Sequence, residues 1–334
     1  MKRSASPHAT PTSASTVKRV KPSPGLPITP LEAETFQVQQ RAHQDRVRTC
    51  RIGTRFRYYA VFDGHAGSNV VDYLYNNMHL TLARHLQNMN RISARAIKNR
   101  LVKSFAEMEA EIITRFKMYE DGGSTATVAL MCDERLCVVA QAGDGVAFVM
   151  DQCGHIMLQA DRHSCQLPSE RKRFGPDNIN HRGYLLGQVA PTRGFGNAEL
   201  HRDTVVYAGE IRSTKDERGQ YLFRATPALY HCDMENGWRL VIASDGFVTS
   251  DPRFLAIRAL KIKASECLHT KRHKKLARLA ADYPVDVPLV YVACALARGR
   301  SLHELGSETV ARTDDDVSAI SMVVPRYTPT SFIQ

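Results

Sequence analysis

The chain carries eight cysteines, yet no two of them form a C-x-x-C pair. That absence removes the usual zinc-ribbon and dithiol redox readings. His163, Cys165, His231 and Cys232 can be drawn as a zinc set, but their spacing matches no standard pattern. The thiols therefore read as reduced, buried or surface groups of an intracellular protein. No secretory leader is read at the start of the chain, and the longest apolar run, around Leu289 to Ala297, is too short to span a bilayer. A membrane role is not expected. Internal repeats are missing too, which excludes repeat architectures. Basic residues are plentiful, 45 Lys and Arg against 34 acids for a formal net charge of +11, but aromatics do not interleave with them. Specific nucleic-acid readout is thus not expected, and the run Lys271 to Lys275 reads as general attraction for anions.

Acidic residues are absent from positions 1–30, where Ser, Thr, Pro and five basic residues dominate and large apolar side chains are scarce. Such a stretch cannot bury enough surface to offset its ordering entropy, and is expected to be a disordered tail. Within it Val17-Lys18-Arg19-Val20-Lys21-Pro22 has the form of a short nuclear import signal, which points to a nuclear and/or cytoplasmic protein. The remainder, 31–334, is expected to fold as one unit; of the whole chain 43% is hydrophobic and 24% charged, ordinary values for a globular protein.

One stretch organises that unit. Tyr58-Tyr59-Ala60-Val61-Phe62 reads as a buried strand and runs into Asp63-Gly64-His65-Ala66-Gly67, after which a helix should start at Ser68. Val70, Val71, Leu74, Met78, Leu82 and Leu86 form its apolar stripe, and Ile97, Leu101, Phe105, Met108, Ile112 and Phe116 form that of a second helix. Two strands joined near Gly53 are expected over 36–62, the first including Gln40 to Arg46. An antiparallel meander is expected over 126–131, 136–142 and 146–150. Residues 158–196 read as a long functional or mobile loop, 202–224 as a surface insertion, and 252–298 as three helical stretches. Trp238 to Ser244 and Val317 to Val324 complete the strands. The tally is an α+β chain.

The same pattern, a strand ending in an acid, recurs at Asp245-Gly246, and Asp315 precedes the last strand. Carboxylate oxygens fixed at strand ends suit hard divalent cations such as Mg²⁺ or Mn²⁺, and a pair of such ions can activate a water for attack on phosphorus. Asp-Gly is also the commonest turn dipeptide, so a single pair decides nothing.

Order decides more. Gln44-Asp45, Val61-Phe62-Asp63-Gly64-His65-Ala66-Gly67, Gly123-Ser124-Thr125-Ala126, Ala142-Gly143-Asp144, Thr192-Arg193-Gly194-Phe195-Gly196, Ile242-Ala243-Ser244-Asp245-Gly246 and Asp315-Asp316-Val317-Ser318 together resemble the motif series of the metal-dependent type 2C Ser/Thr protein phosphatases (PPM family). The resemblance covers about residues 36–325. It implies two antiparallel β-sheets packed as a sandwich flanked by helices, with 31–334 as the catalytic domain. It also implies a dinuclear Mg²⁺/Mn²⁺ site at one end, a possible weaker third ion, phosphoserine and phosphothreonine proteins as substrates, and a monomer. By position Asp63 would bridge two ions, Asp245 and Asp315 would hold the first, Gly64 O and Gln44 the second, and Asp144 with Asp245 the third. His65 would be the general acid, and 162–190 the flap beside the site.

Departures accompany the match. Gln44 stands where the family has Glu, which removes one negative charge from the second ion. The phosphate-clamping Arg falls at Gln40, with Arg41 one position late and so on the other face of a strand. Asn197 stands for Asp, Asp316 for Asn, and Gly145-Val146 for Ser-Arg. Because the other metal-site aspartates persist, an active metal-dependent phosphatase is the expectation; the alternative is a pseudophosphatase acting as a protein-binding module.

Overall fold

The computed structural model describes residues 25–39, 44–247 except 90 and 134, 316–324, and the positions 296, 299–301, 303–305 and 307. Alternation of side chains builds its layers. In the strand Phe56–Phe62, Tyr58, Ala60 and Phe62 point to one face, where they join a core with both long helices, while Tyr59 and Val61 point to the other, against a second sheet. Both faces are covered, so the strand is a continuous apolar run rather than an alternating one. Each fully buried Leu, Ile or Phe in these cores contributes about 1.5–3 kcal/mol.

The first sheet has six strands in the order Ile28–Pro30, Arg46–Ile52, Phe56–Phe62, Ala126–Cys132, Leu136–Ala142, Ala228–Asp233. The second has five, in the order Ile156–Gln159, Val146–Met150, Arg239–Ala243, Val317–Val323, Glu34–Val38. Between them pack Tyr59, Val61, Met131 and Val139 from one side and Val149, Leu240, Ile242 and Ile320 from the other. Helices Asn69–Leu86 and Ala94–Arg115 cover the outer face of the six-stranded sheet, each burying its expected stripe. Ser93 caps the second helix by accepting from Ala96 N at 3.2 Å. The fold class is as expected: α+β, with two antiparallel sheets and flanking helices.

Four expectations need correction. The tail was drawn through residue 30, but Ile28–Pro30 pairs with Arg46–Ile52, and Gly53 N donates to Pro27 O at 2.7 Å. Prolines flanking that segment suit an edge strand, and Leu26 and Ile28 are apolar enough to dock on the helical core. The two strands expected over 36–62 are three. Glu34–Val38 joins the opposite sheet, Gln44 and Asp45 lie outside any strand, and Gln40 to His43 are outside the described residues. The expected meander also divides, since Val146–Met150 pairs with Arg239–Ala243 rather than Leu136–Ala142. Finally, the 158–196 loop contains a short helix, Pro168–Phe174, and its Cys165, Phe174 and Leu185 form a small core with Leu200 and Phe223 from beyond it. The helical stretches expected over 252–298 fall almost entirely outside the described residues.

Candidate active site

Register decides which side chains share an end of the sandwich. Arg46 lies opposite Phe62 and Ala126 opposite Ala142, so Asp45, Asp63, Thr125 and Gly143 leave the first sheet together. In the second sheet Ala243 lies opposite both Val146 and Ala319, which gathers Asp245, Asp144 and Asp316 in the same way. The turn Gly143-Asp144-Gly145 joins Ala142 of one sheet to Val146 of the other, so the two gatherings are one.

Close approach of backbone to backbone requires the glycines here. Gly143 has φ +129°, and a Cβ on it would stand 2.3 Å from Thr125 Cβ. The turn is held from beneath by Gln141, fully buried, whose Nε2 donates to Gly145 O at 2.8 Å, Asp161 O at 2.9 Å and Gly143 O at 3.3 Å. Ser244 and Ser318 staple the neighbouring strand ends, with Ser244 N donating to Ser318 O at 2.9 Å and Ser318 N to Ser244 Oγ at 3.1 Å. Thr125 N donates to Asp63 O at 2.8 Å, fixing the backbone of the central acid.

Gln44 and Asp316 tie the two sheets across this end. Asp316 Oδ2 accepts from Gln44 N at 2.6 Å and from Asp45 N at 3.2 Å. The Gln44 carboxamide turns to the helix start, between Gly64 O and Gly67 N; assigned by complementarity, with its nitrogen toward the carbonyl, its Nε2 donates to Gly64 O at 3.1 Å and its Oε1 accepts from Gly67 N at 3.0 Å. Gly64 is pressed so near that a Cβ on it would meet Gln44 O at 2.8 Å.

His65 enters from a short strand pairing with Gly123-Ser124, which pairs in turn with Phe195–Gly196. Its Nε2 lies 2.9 Å from Asn197 Oδ1, an acceptor that keeps the proton on Nε2. Gly123 makes room for the pair: a Cβ there would come within 2.2 Å of Asn197 Oδ1 and 2.5 Å of His65 Nε2. Asn197 holds its place with φ +57° and a bond from its N to Gly122 O at 3.0 Å. Burial pushes the His65 pKa below its ordinary value, opposed by the bond to Asn197 and by the negative charge of Asp245.

The 162–190 flap begins at the acids. Arg162 Nε donates to Asp144 O at 2.7 Å, and Nη2 lies 4.0 Å from Asp245 Oδ2. His163 follows, buried, with N donating to Gly143 O at 2.9 Å and Nδ1 accepting from Gly143 N at 3.3 Å. Deeper in the flap, Glu170 is only 1% exposed and accepts from Arg193 Nη2 and Arg173 Nη2, both at 2.5 Å, and from Thr192 Oγ1 at 2.8 Å. Burial would raise the Glu170 pKa, but the two guanidiniums prevail and hold it at about 2. The flap's base is thus a closed ion network.

Of the residues singled out from sequence, Asp63, Gly64, His65, Asp144, Asp245 and Gln44 meet at this end, while Arg41 and Asp315 lie outside the described residues. Asp45, Gln141, Arg162 and Asp316 were missed as parts of the framework. Asp316 had a signal, since it stands beside Asp315 in an acidic run, but Arg162 had none. Asp63, Asp144 and Asp245 offer hard oxygen donors in a partly buried setting, a chemistry that fits Mg²⁺ or Mn²⁺. Asp144 is 7% exposed, while Asp63 and Asp245 are half-buried, and the three carboxylates do not come within 4.8 Å of one another as a group. Gly64 O does not fit as an open ligand, because it already receives the Gln44 amide. Among the described residues, three ligand groups approach within 4.8 Å of one another at Asp151, Cys153 and His155, at the far end of Val146–Met150. The His163, Cys165, His231, Cys232 set makes no such cluster.

A model of the family "Protein phosphatase 2C" matches residues 36–249, more than half of the chain. Relatives include protein phosphatase 1K, mitochondrial, of Xenopus laevis, 24% identical over 60% of this chain and 55% of its own length. Another is the human integrin-linked kinase-associated serine/threonine phosphatase 2C, 28% identical over 54% of this chain and 50% of its own. The chain spans about half the length of the curated relatives it matches. Among solved structures, a phosphatase from Toxoplasma gondii superposes with TM-score 0.56 at 15% identity, covering 89% of this chain and 95% of its own. A C. elegans sex determining protein gives 0.52 at 20% identity, covering 90% and 65%. These likenesses bear on the fold, whereas the family match extends from Phe36 through Asp245 and takes in Gln44, Asp63, Gly64, His65 and Asp144. The chain belongs to the protein phosphatase 2C family.

Proposed function

We propose that the protein is a metal-dependent serine/threonine phosphatase that hydrolyses phosphoserine and phosphothreonine in protein substrates. The observation that carries this reading is the gathering of Asp63, Asp144 and Asp245 with His65 at one end of the sandwich, from strands far apart in sequence. Asp63 and Asp245 would hold a Mg²⁺ or Mn²⁺ ion, with Asp315 as a further ligand. Such an ion supplies Lewis acidity and an activated water for in-line attack on phosphorus. The chain's own residues supply position and proton transfer. Thr125 and the Ser244–Ser318 staple keep the carboxylates where the strands end, so little reorganisation accompanies reaction. With Nε2–H committed to Asn197, His65 as the imidazolium would give its Nδ1 proton to the departing seryl or threonyl oxygen and be left as the neutral ring. The flap, anchored by Glu170, would sit over one side of the site.

Hydrolysis of a phosphothreonine peptide with Mn²⁺, Mg²⁺ or EDTA, alongside Asp63→Asn, tests the reading. Turnover that needs metal and disappears in the variant is expected. None at millimolar metal, from protein shown to be folded, would overturn it.

The bond from Gln44 Nε2 to Gly64 O favours a second reading, a pseudophosphatase that binds partner proteins. Its surface would be the insertion hairpin Thr204–Tyr207 and Glu210–Ser213, which leaves Val206 71% and Ile211 76% exposed. Partner capture that persists in EDTA and in Asp63→Asn distinguishes it. Nuclear placement through residues 17–22 is likewise a proposal, and loss of nuclear accumulation on replacing Lys18, Arg19 and Lys21 with Ala would test it.

A further inference from the structure

At the helix start the Gln44 carboxamide faces two backbone groups of opposite kind, the Gly64 carbonyl and the Gly67 N–H. A carboxamide has one donating and one accepting end, and here each end meets its complement at 3.1 and 3.0 Å. A carboxylate in the same place would differ at one end only. One of its oxygens could still accept from Gly67 N, but the other would face the Gly64 oxygen, acceptor against acceptor. Two facing oxygens are stable only with something positive between them, a cation or a proton. The amide N–H of Gln44 is that positive group, covalently attached and permanently in place. Turning the amide over to offer its oxygen would set Nε2 against the Gly67 N–H, donor against donor, so that route is closed as well.

A comparable substitution occurs at the other side of the acids. Arg162 places a guanidinium next to Asp144 and Asp245, with Nε on Asp144 O at 2.7 Å and Nη2 at 4.0 Å from Asp245 Oδ2. The Asp245 carboxylate and the Asp144 backbone carbonyl thus have a positive group beside them, supplied by the first residue of the flap.

We infer that this centre takes a single divalent cation, at Asp63 and Asp245, because Gln44 and Arg162 fill with their own N–H groups the two places where further cations would sit. The inference rests on the metal-dependent reading above and narrows it. The single ion has lost one carboxylate neighbour relative to a glutamate-bearing site, so its position depends on Asp63 and Asp245 more heavily.

Counting Mn²⁺ tests this without reference to activity. The 334-residue chain, stripped with EDTA and freed of chelator, is titrated with MnCl₂, free ion being read by electron paramagnetic resonance and heat by calorimetry. Wild type should bind one Mn²⁺ per chain in the micromolar-to-millimolar range, Gln44→Glu should bind one more, and Arg162→Gln should show an added weak site. In EDTA, Gln44→Glu should melt below wild type, because the new oxygen faces Gly64 O, and Mn²⁺ should raise its melting temperature more than it raises that of wild type. If Gln44→Glu is folded only when Mn²⁺ is present, that same coupling has been read. Two or more ions in wild type, or equal counts in wild type and Gln44→Glu, would overturn the inference and leave the phosphatase reading standing. No Mn²⁺ in either protein would overturn the metal-dependent reading, and the inference with it.

Discussion

Two carboxylate settings border the flap that begins at Arg162, the buried Glu170 and the acids at the strand ends, and they are built in opposite ways. Glu170 receives two guanidiniums and a hydroxyl, so its charge is neutralised within the fold. At the sandwich end Asp316 is met by backbone amides, and the backbone of Asp63 is fixed by Thr125 N. One arrangement cancels a buried charge by direct side-chain contact and locks a loop, while the other positions its carboxylates through the backbone, with the Arg162 guanidinium 4.0 Å from Asp245. The difference lies in how each acid is held: by guanidiniums in direct contact at Glu170, by strand-end backbone at the sandwich end. A site meant to bind must leave part of its electrostatics unfinished.

The sharpest way to break the comparison is to neutralise one acid on each side. Asp63→Asn should reduce phosphopeptide hydrolysis by about a thousandfold or more, roughly 4 kcal/mol of transition-state stabilisation, with little change in melting temperature in EDTA. Steady-state kinetics and thermal melts on the same preparation check both halves. Glu170→Ala should do the reverse in kind. It leaves Arg173 and Arg193 without their shared carboxylate and should cost about 3–5 kcal/mol of stability, read by urea unfolding. Equal stability losses from the two variants would erase the distinction.

Much of this contrast was legible beforehand, but unevenly. Long apolar runs and helical stripes were read correctly because burial on both faces leaves no polar interruptions, as in 56–62 and 136–142. The strand-end acids were legible because Asp-Gly after such a run can be counted. What stayed hidden depends on how strands pair. The step of the chain from one sheet to the other at Gly143 to Gly145 follows from long-range register, and nothing local distinguishes it from a hairpin turn. Gln141 looks like one polar residue in a strand, and its role under the turn follows only once Asp161 is brought near it. Glu170 sits in a charged run, Ser169 to Arg173, inside a stretch that reads as a long loop; Thr192 and Arg193, some twenty residues on, turn it inward. Gln44 was noticed as a departure, yet its partners Gly64 O and Gly67 N depend on how the first helix packs beside it.

A milder perturbation uses pH. His163 sits between the two settings and is held neutral, burial and the nearby Arg193 guanidinium lowering its pKa to about 4 from an ordinary 6.5. A group with a depressed folded pKa takes up its proton more readily in the unfolded chain. The stability tied to His163 is therefore complete above pH 6.5 and is lost as pH falls toward 4. His79, lowered to about 4 by burial and by Arg48, adds to the same window. Glu170, at about 2, adds its own loss only below its ordinary value of 4.5. Unfolding free energy measured from pH 7 to pH 5 should fall with both histidines, and His163→Gln should flatten the slope toward one proton's worth less, about 1.4 kcal/mol per pH unit. An unchanged slope would mean that burial and Arg193 do not hold His163 neutral in the folded chain.

The smallest change is a charge added where the functional side uses a neutral partner. Asn197→Asp keeps the shape of the acceptor that His65 meets, and Asp tolerates the left-handed backbone at this position nearly as well as Asn. Stability should move little. An ionised carboxylate 2.9 Å from Nε2 favours the imidazolium, however, so the His65 pKa should rise by about one unit or more relative to wild type measured with the same metal. If His65 gives a proton to the leaving oxygen, the alkaline limb of the rate profile moves to higher pH by the same amount, because the protonated form persists further. Should the NMR titration of His65 shift while the rate profile stays put, His65 would be a ring that positions Asn197 and the 195–197 turn, and the proton would have to come from solvent. The outcome thus decides whether the histidine belongs with the unfinished electrostatics of the acids or with the finished kind found at Glu170.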